Sequence, residues 1–438
     1  MSGTIEILQP ETAGGPITVA VPGWRSADFA AEKAAEAAAA AGATAADVIQ
    51  TTADRVAAEA AKGAADDARD LAQAAALSAE EDAQSAATSE ANINLWIVDT
   101  LRKSVEAASG GRQTVLYTAL GEPCYMSVIP AFNIEDVVGG AGLGTGRHPA
   151  FIVDGVPKSE LFIGSHLAAV VAGEALSQPG KPLTVTVDWD AALAHCAANG
   201  AGWHLMTVWE WAAVAMWCMA NGFEPRGNTD YGRHHDERHE VGRRDDGLAP
   251  GTGSGNGSTL TGSGPTAWSH DGTGAGIMDL VGNVWEWLGG MKLEDGRVHM
   301  TADNDYSELE TNWPAQDLWF SSSSPSAGGP MSLVTSEMDV VRNGPIGDDT
   351  NGGFSNSTNP WSSLVVDGTP PLIAQQAMIA PGGISPVGQG AARTYGARFP
   401  RRGGAHNNGS AAGLGALYLI LSRSTAGTTI GFRPAFVL

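Results

Sequence analysis

The chain has 438 residues, with 48 acidic against 25 basic and a formal net charge of −23. Length alone allows roughly two or three domains, while the charge argues against nucleic acid and anionic membrane surfaces, both of which need a cationic footprint. Cys124, Cys196 and Cys218 have no paired spacing and one is left over, so they read as buried thiols of a chain folded in a reducing cytosol.

Between Met1 and Pro22 there is no basic stretch followed by a continuous apolar run, so no signal peptide is expected. No apolar run reaches the roughly 20 residues of a membrane span, so no membrane insertion is expected either. Thr4-Ile5-Glu6-Ile7-Leu8 is strand-like and lies in a first segment, residues 1–25. From residue 26 to 108 the composition turns to Ala, Glu, Asp and Lys without proline, which predicts helix. Large apolar residues are sparse there until Ile93, Leu95, Trp96, Ile97, Leu101 and Val105. Such a seam lacks the bulk for a globular core and is expected to pack against copies of itself as a coiled-coil rod.

Ser109-Gly110-Gly111 breaks the rod, and residues 109–438 form the globular part. Thr114 to Thr118 reads as its first strand, and Gly139 to Gly146 as a glycine-rich loop without the βαβ context of a dinucleotide site. His148 to Asp154 and Leu161 to Gly164 read as a strand pair around a turn at Gly155. Thr184 to Asp190 alternates as a strand would, and a helix follows over Ala191 to Asn199, with Asp188 or Asp190 as its cap. Thr207 and Glu210 have capping-box spacing before a second helix, Trp211 to Met219, which would pack through Ala212, Ala213, Ala215 and Met216. His234, His235 and His239 with Asp236, Glu237 and Glu240 have metal-ligand spacing, but the density of arginine favours a solvated charged loop. Residues 290–375 look like an acidic insertion of little periodicity beside the binding face.

The end of the chain is organised differently. Arg402-Gly403-Gly404-Ala405-His406-Asn407-Asn408-Gly409-Ser410 favours turns and positive φ. Leu414, Ala416, Leu417 and Leu419 follow at strand-like spacing, and Ile430 and Phe432 alternate as in a half-buried strand. Between these anchors Ala405, His406, Ser410, Ala411, Gly415, Tyr418, Ile420, Leu421, Arg423 and Thr425 obey no periodic rule. An irregular set of side chains on a regular frame points to a recognition surface.

That frame, from Arg-Gly-Gly to Ile-Gly-Phe-Arg over roughly 402–433, resembles the variable region of retroelement-diversified proteins of the phage major tropism determinant type. The resemblance implies that the ten irregular positions are ligand-binding residues. Tyr418 would serve as aromatic anchor, Arg423 as fork donor, Ile420 and Leu421 as apolar contacts and His406 as a switchable donor. Ala405, Ser410, Ala411 and Gly415 would shape the floor. Residues 194–213 are similar to the helix-turn-helix of the formylglycine-generating enzyme family, and Gly276 to Trp287 matches that family's most recognisable phrase. Together these imply an α+β class and a C-type-lectin-like domain over about 115–438.

One branch of that family oxidises a cysteine through two copper-binding thiols just after Arg-Gly-Gly, whereas Ala405 to Gly413 here contains no cysteine. A related branch needs a three-histidine iron site from an added helical domain, and residues 26–108 contain no histidine. No enzyme activity is therefore expected. The matched phrase also implies a calcium site formed by Asp279, the carbonyls of Gly282 and Val284, and Glu286. The competing reading is hydrogen bonding of Asp279 and Glu286 within the turn. The alanine-rich segment resembles the shaft of phage tail fibres, which are trimers. The combined expectation is a homotrimeric receptor-binding protein of a virion tail, made in the host cytoplasm. It would join other tail proteins through its N-terminus and bind a protein or glycan receptor on the host surface. A bacterial or prophage-encoded surface binder and a purely structural virion protein are the alternatives.

Overall fold

In a computed structural model the described residues are 3–7, 17–21, 31–39 and 99–438, except 326–328, 352–354, 359 and 385. Contacts divide the chain into two compact units, Met1–Leu8 with Thr18–Ser104, and Gln9–Ile17 with Val105–Leu438. Gly3–Ile7 and Ile17–Val21 pair as a two-stranded sheet, and residues 31–39 form a helix of exposed residues. Most of the expected rod, residues 40–98, lies outside the described residues. Leu101 and Val105, the end of its apolar stripe, are half-buried on the helix Thr100–Ser109.

The larger unit is mixed α+β, mostly sheet with few helices. Its smaller sheet is antiparallel and five-stranded, in the order Trp203–Leu205, Pro434–Phe436, Glu160–Gly164, Pro123–Pro130, Gln113–Tyr117. The larger sheet runs Asn356–Thr358, Gly390–Ala392, Gly413–Leu421, Ala397–Gly403, Met291–Glu294, Arg297–Met300, Ala315–Ser322, Met331–Val334, Val365–Asp367. Trp285–Trp287 joins it beside Ala397–Gly403 and carries Ile430–Phe432 on its other edge. The sheet curls into a half-barrel. Its two arms meet where Ser357 N donates to Gly329 O at 3.1 Å and Met331 N donates to Thr358 Oγ1 at 3.2 Å.

Local signals explain the helices. Asp188 caps Trp189–Ala198 by accepting from Ala191 N at 2.8 Å. Thr207 and Glu210 form the reciprocal capping box of Val208–Ala220. That second helix is buried nearly all round, because Ala, Val, Trp and Met occupy every face. Glu210, wholly buried, also accepts from Asn304 Nδ2 at 3.0 Å and meets His204 Nε2 at 2.8 Å.

Several expectations need correction. Residues 290–375 are not an unpatterned insertion: they build much of the larger sheet. The phrase Met291-Lys-Leu-Glu-Asp-Gly-Arg-Val-His-Met300 is a hairpin, with Asp295 and Gly296 at φ 49° and 86°. Met291, Leu293, Val298 and Met300 point into the core. Asp-Gly between alternating residues is the usual signature of such a turn. Thr184 to Val187 is no strand; Thr186 sits at φ 60°, which ends the alternation before the Asp188 cap. Ile152–Val153 pairs with Val156–Pro157 around Gly155, while Glu160–Gly164 pairs elsewhere. Ile430, Gly431 and Phe432 are all buried, so that strand has no solvent side.

Candidate functional site

The two most distinctive phrases of the sequence meet inside the fold. Glu286 and Arg433, both without exposure, form a bidentate ion pair at 2.8 and 2.9 Å. Arg433 also donates to Gly164 O at 2.8 Å and Met278 O at 2.9 Å. One guanidinium thus fixes the smaller sheet, the 276–287 phrase and the last strands together. Asn283, at φ 61°, adds a second clamp: its Oδ1 accepts from Thr259 N at 2.9 Å and its Nδ2 donates to Thr259 O at 3.2 Å.

This arrangement does not suit the calcium site. Both oxygens of Glu286 accept from Arg433, so they already face a positive charge. Asp279 is wholly buried, and its Oδ2 accepts from Gly262 N at 2.8 Å while its Oδ1 has no partner. Burial pushes its carboxyl up to about 6. Glu286 pairs with the far end of the chain and not within its turn. The His234 group is also otherwise engaged. His234 Nδ1 accepts from Glu237 N at 2.9 Å, and Glu240 holds Arg226 and accepts from Trp268 Nε1 at 3.0 Å. Among the described residues no group of three His, Cys, Asp or Glu is placed to hold a metal ion.

The turn after Arg402 needs its glycines. Gly403 and Gly404 sit at φ 88° and 93°, and a Cβ on Gly403 would stand 2.4 Å from Leu280 O. The chain then enters Gly413–Leu421, antiparallel to Ala397–Gly403 and parallel to Gly390–Ala392. On one face of these strands Leu414, Leu417 and Leu419 join the main core with Trp211, Leu288 and Leu293. On the other, Trp189, Ala192 and Cys196 of the helix Trp189–Ala198 cover Trp287, Phe399 and Phe432. Beyond that helix the same face carries Trp285, Ala405 and Ala416, with the half-buried Tyr418 outermost.

Tyr418 stacks on Trp285 with ring centroids 4.0 Å apart, and its hydroxyl donates to Gln389 Oε1 at 2.6 Å. Arg401, opposite Tyr418 in the sheet register, holds its guanidinium 5.4 Å from Trp285, 5.6 Å from Trp287 and 5.9 Å from Tyr418. Burial pushes the Arg401 guanidinium down to about 9 and the Tyr418 phenol upward, with Arg401 opposing the latter.

The structure brings only part of the expected set together. Tyr418 and Ile420 lie half-buried at alternate positions on the strand, and Ser410 is exposed with Ala411 half-buried beside it. Ala405 is inside, packed under Trp285; His406 is inside too, its Nδ1 3.2 Å from Asn283 O and its ring edge-on to Tyr231. Gly415 is buried, and a Cβ there would stand 2.7 Å from Pro386 O. Leu421 turns to the cluster under the helix. Arg423 is not a free fork: it pairs with Asp190 and Glu310 and lies over Trp189 and Phe399. Thr425 accepts from Asn351 Nδ2. Sequence reasoning missed Arg401, Trp285 and Gln389 as members of this face. The local hints were Trp285 inside the 276–287 phrase and Arg401 next to the Arg402 turn. No family model matches the chain, and no curated protein is similar to it by sequence.

Proposed function

We propose that this chain is a receptor-binding protein of a phage tail fibre or tail tip, of the retroelement-diversified type. Its C-type-lectin-like domain displays a variable face, and its alanine-rich segment holds three copies together in a coiled coil. The N-terminal segment joins other tail proteins, and the partner is a receptor on the host surface. The observation that carries the reading is the strand Gly413–Leu421. It sends Leu417 and Leu419 into the core while Tyr418 stays half-buried on the opposite face, against Trp285.

Such a strand lets side chains change on one face without repacking the other. The glycine turn and the Glu286–Arg433 pair keep the backbone fixed while they do. Binding, and not catalysis, is the task of this face. Its thiols are elsewhere and buried, and burial raises all three. A single site need not be strong, since three linked copies gain avidity through effective concentration.

The test is the attachment of the fluorescently labelled chain to a panel of bacterial isolates. For an isolate that it stains, Tyr418→Ala with Ile420→Ala should weaken staining by about tenfold, the loss of one hot-spot contact. Unchanged staining by a variant that melts normally would contradict the proposal. Diversification has its own test, a near-copy of the 402–433 coding stretch beside a reverse transcriptase in the adjacent DNA.

A further inference from the structure

We propose that Arg401 anchors an anion subsite that takes the carboxylate of an acidic sugar unit, with Tyr418 as the platform for the sugar ring and Gln389 as a partner for its hydroxyls. This rests on reading the Trp285–Tyr418 face as a binding surface.

A guanidinium presents five N–H donors and no acceptor. Several buried arginines of this unit use theirs, although Arg402, wholly buried in the core, also leaves Nε and Nη1 without partners while its Nη2 donates to Met378 O. Arg433 holds Glu286 and two carbonyls. Arg244 holds Asp246 and the carbonyls of Thr252 and Ser254. Arg398 donates to Tyr395 O, Asp348 O and Asp349 O. Arg401 is 5% exposed, its buried Nε has no hydrogen-bond partner, and no carboxylate pairs with it among the described residues. Among the described residues three ring faces frame its guanidinium. Ring contacts return part of what desolvation removes, but they satisfy no donor.

Nearby, Arg393 is 8% exposed, and its Nε is likewise without a partner. Its Nη2 donates to Asn351 O, and its Nη1 to Ile420 O. The charge of Arg393 is felt at Arg401, neither guanidinium is paired with an acid among the described residues, and a guanidinium grips a small planar anion through two parallel bonds.

The rim says what carries that anion. Tyr418 and Gln389 are half-buried at the mouth and joined by a hydrogen bond, and Asn351 is exposed. A flat aromatic face bordered by amides suits the apolar side and the hydroxyls of a pyranose. Arg401 is almost wholly covered, so we assign to it a single carboxylate group and not an extended acidic chain.

The test titrates the full chain with glucuronate, glucose and N-acetylglutamate, followed by tryptophan fluorescence and calorimetry. Glucuronate should bind at least about tenfold tighter than either competitor, and added salt should weaken it. Arg401→Gln should lower glucuronate affinity about tenfold, with the melting temperature kept or raised. Tyr418→Ala, which leaves Arg401 in place, should also weaken it and serves if the first variant does not fold. Equal binding of glucuronate and glucose, or no saturable binding of glucuronate, overturns the inference. N-acetylglutamate matching glucuronate overturns the sugar assignment in favour of an acidic peptide. If cell staining needs Tyr418 but glucuronate shows no preference, the receptor-binding role stands and the acidic-sugar subsite falls. If glucuronate needs Arg401 while staining ignores both variants, the subsite stands and that role falls.

Discussion

Arg433 and Arg401 bury their guanidinium groups in the same unit by opposite means. Arg433 is saturated by Glu286 and two backbone carbonyls, whereas Arg401 is framed by rings and bonded to no acid among the described residues. The first guanidinium holds three parts of the fold in register. The second contributes nothing comparable to the frame and sits where the strand opens to solvent. The contrast separates structural from available charge more clearly than burial does, because both residues are almost wholly covered.

The largest expected effect strikes the saturated end. Burial holds His166 down to about 3 and His270 down to about 4, each lowered further by the charge of Arg433; burial alone holds His148 to about 4. All three start from an ordinary value of 6.5, so their contribution is complete above that pH and is lost as pH falls through the lowered values. Each is worth on the order of 3 kcal/mol. Asp279 works in the other direction, raised from 3.8 to about 6, so its burial penalty is relieved as pH falls through that window. Burial raises Glu160, Asp245, Glu286 and Asp303 as well and lowers His234, His299 and His406, and the three deeply buried imidazoles dominate. Urea midpoints should therefore fall steeply from pH 6.5 to 4, and a flat profile would contradict the assignment.

Next comes the pair itself. Glu286→Ala should destabilise the unit by about 3–5 kcal/mol, because it leaves a buried guanidinium uncompensated. Equilibrium unfolding measures this, and a loss below about 1 kcal/mol would make the pair incidental. Arg401→Met should do the reverse, leaving stability unchanged or raising it by about 1 kcal/mol, since it removes an uncompensated charge and keeps the ring contacts filled. The smallest effect is expected at Asp279. A chelator should leave the melting temperature unchanged, and Asp279→Asn should hold stability within about 1 kcal/mol at neutral pH, whereas a calcium ligand would lose far more.

Much of the frame was legible because its signals are local. The Thr207–Glu210 capping box, the Asp188 cap and the first strand need only neighbouring residues. The Met291–Met300 hairpin was equally local, but its Asp-Gly turn was overlooked inside a stretch judged by its acidic, tryptophan-bearing composition. The Glu286–Arg433 pair is of another kind: its members stand 147 residues apart, and periodicity carries no information about such a meeting. Arg401 was invisible for the same reason, as its rings come from Trp285, Trp287 and Tyr418. His406 and Gly415 misled in the opposite way. A polar side chain and a bare backbone in an irregular run look exposed, yet Asn283 and Pro386 close over them.

The most direct test of the account is a comparison of libraries randomised at Tyr418 and Ile420 or at Leu417 and Leu419, with folded fraction and melting temperature read for each member. Most members of the first library should fold and melt within about 5 °C of the parent, while most of the second fail. Equal intolerance at both pairs of positions would show that this strand has no face free to vary.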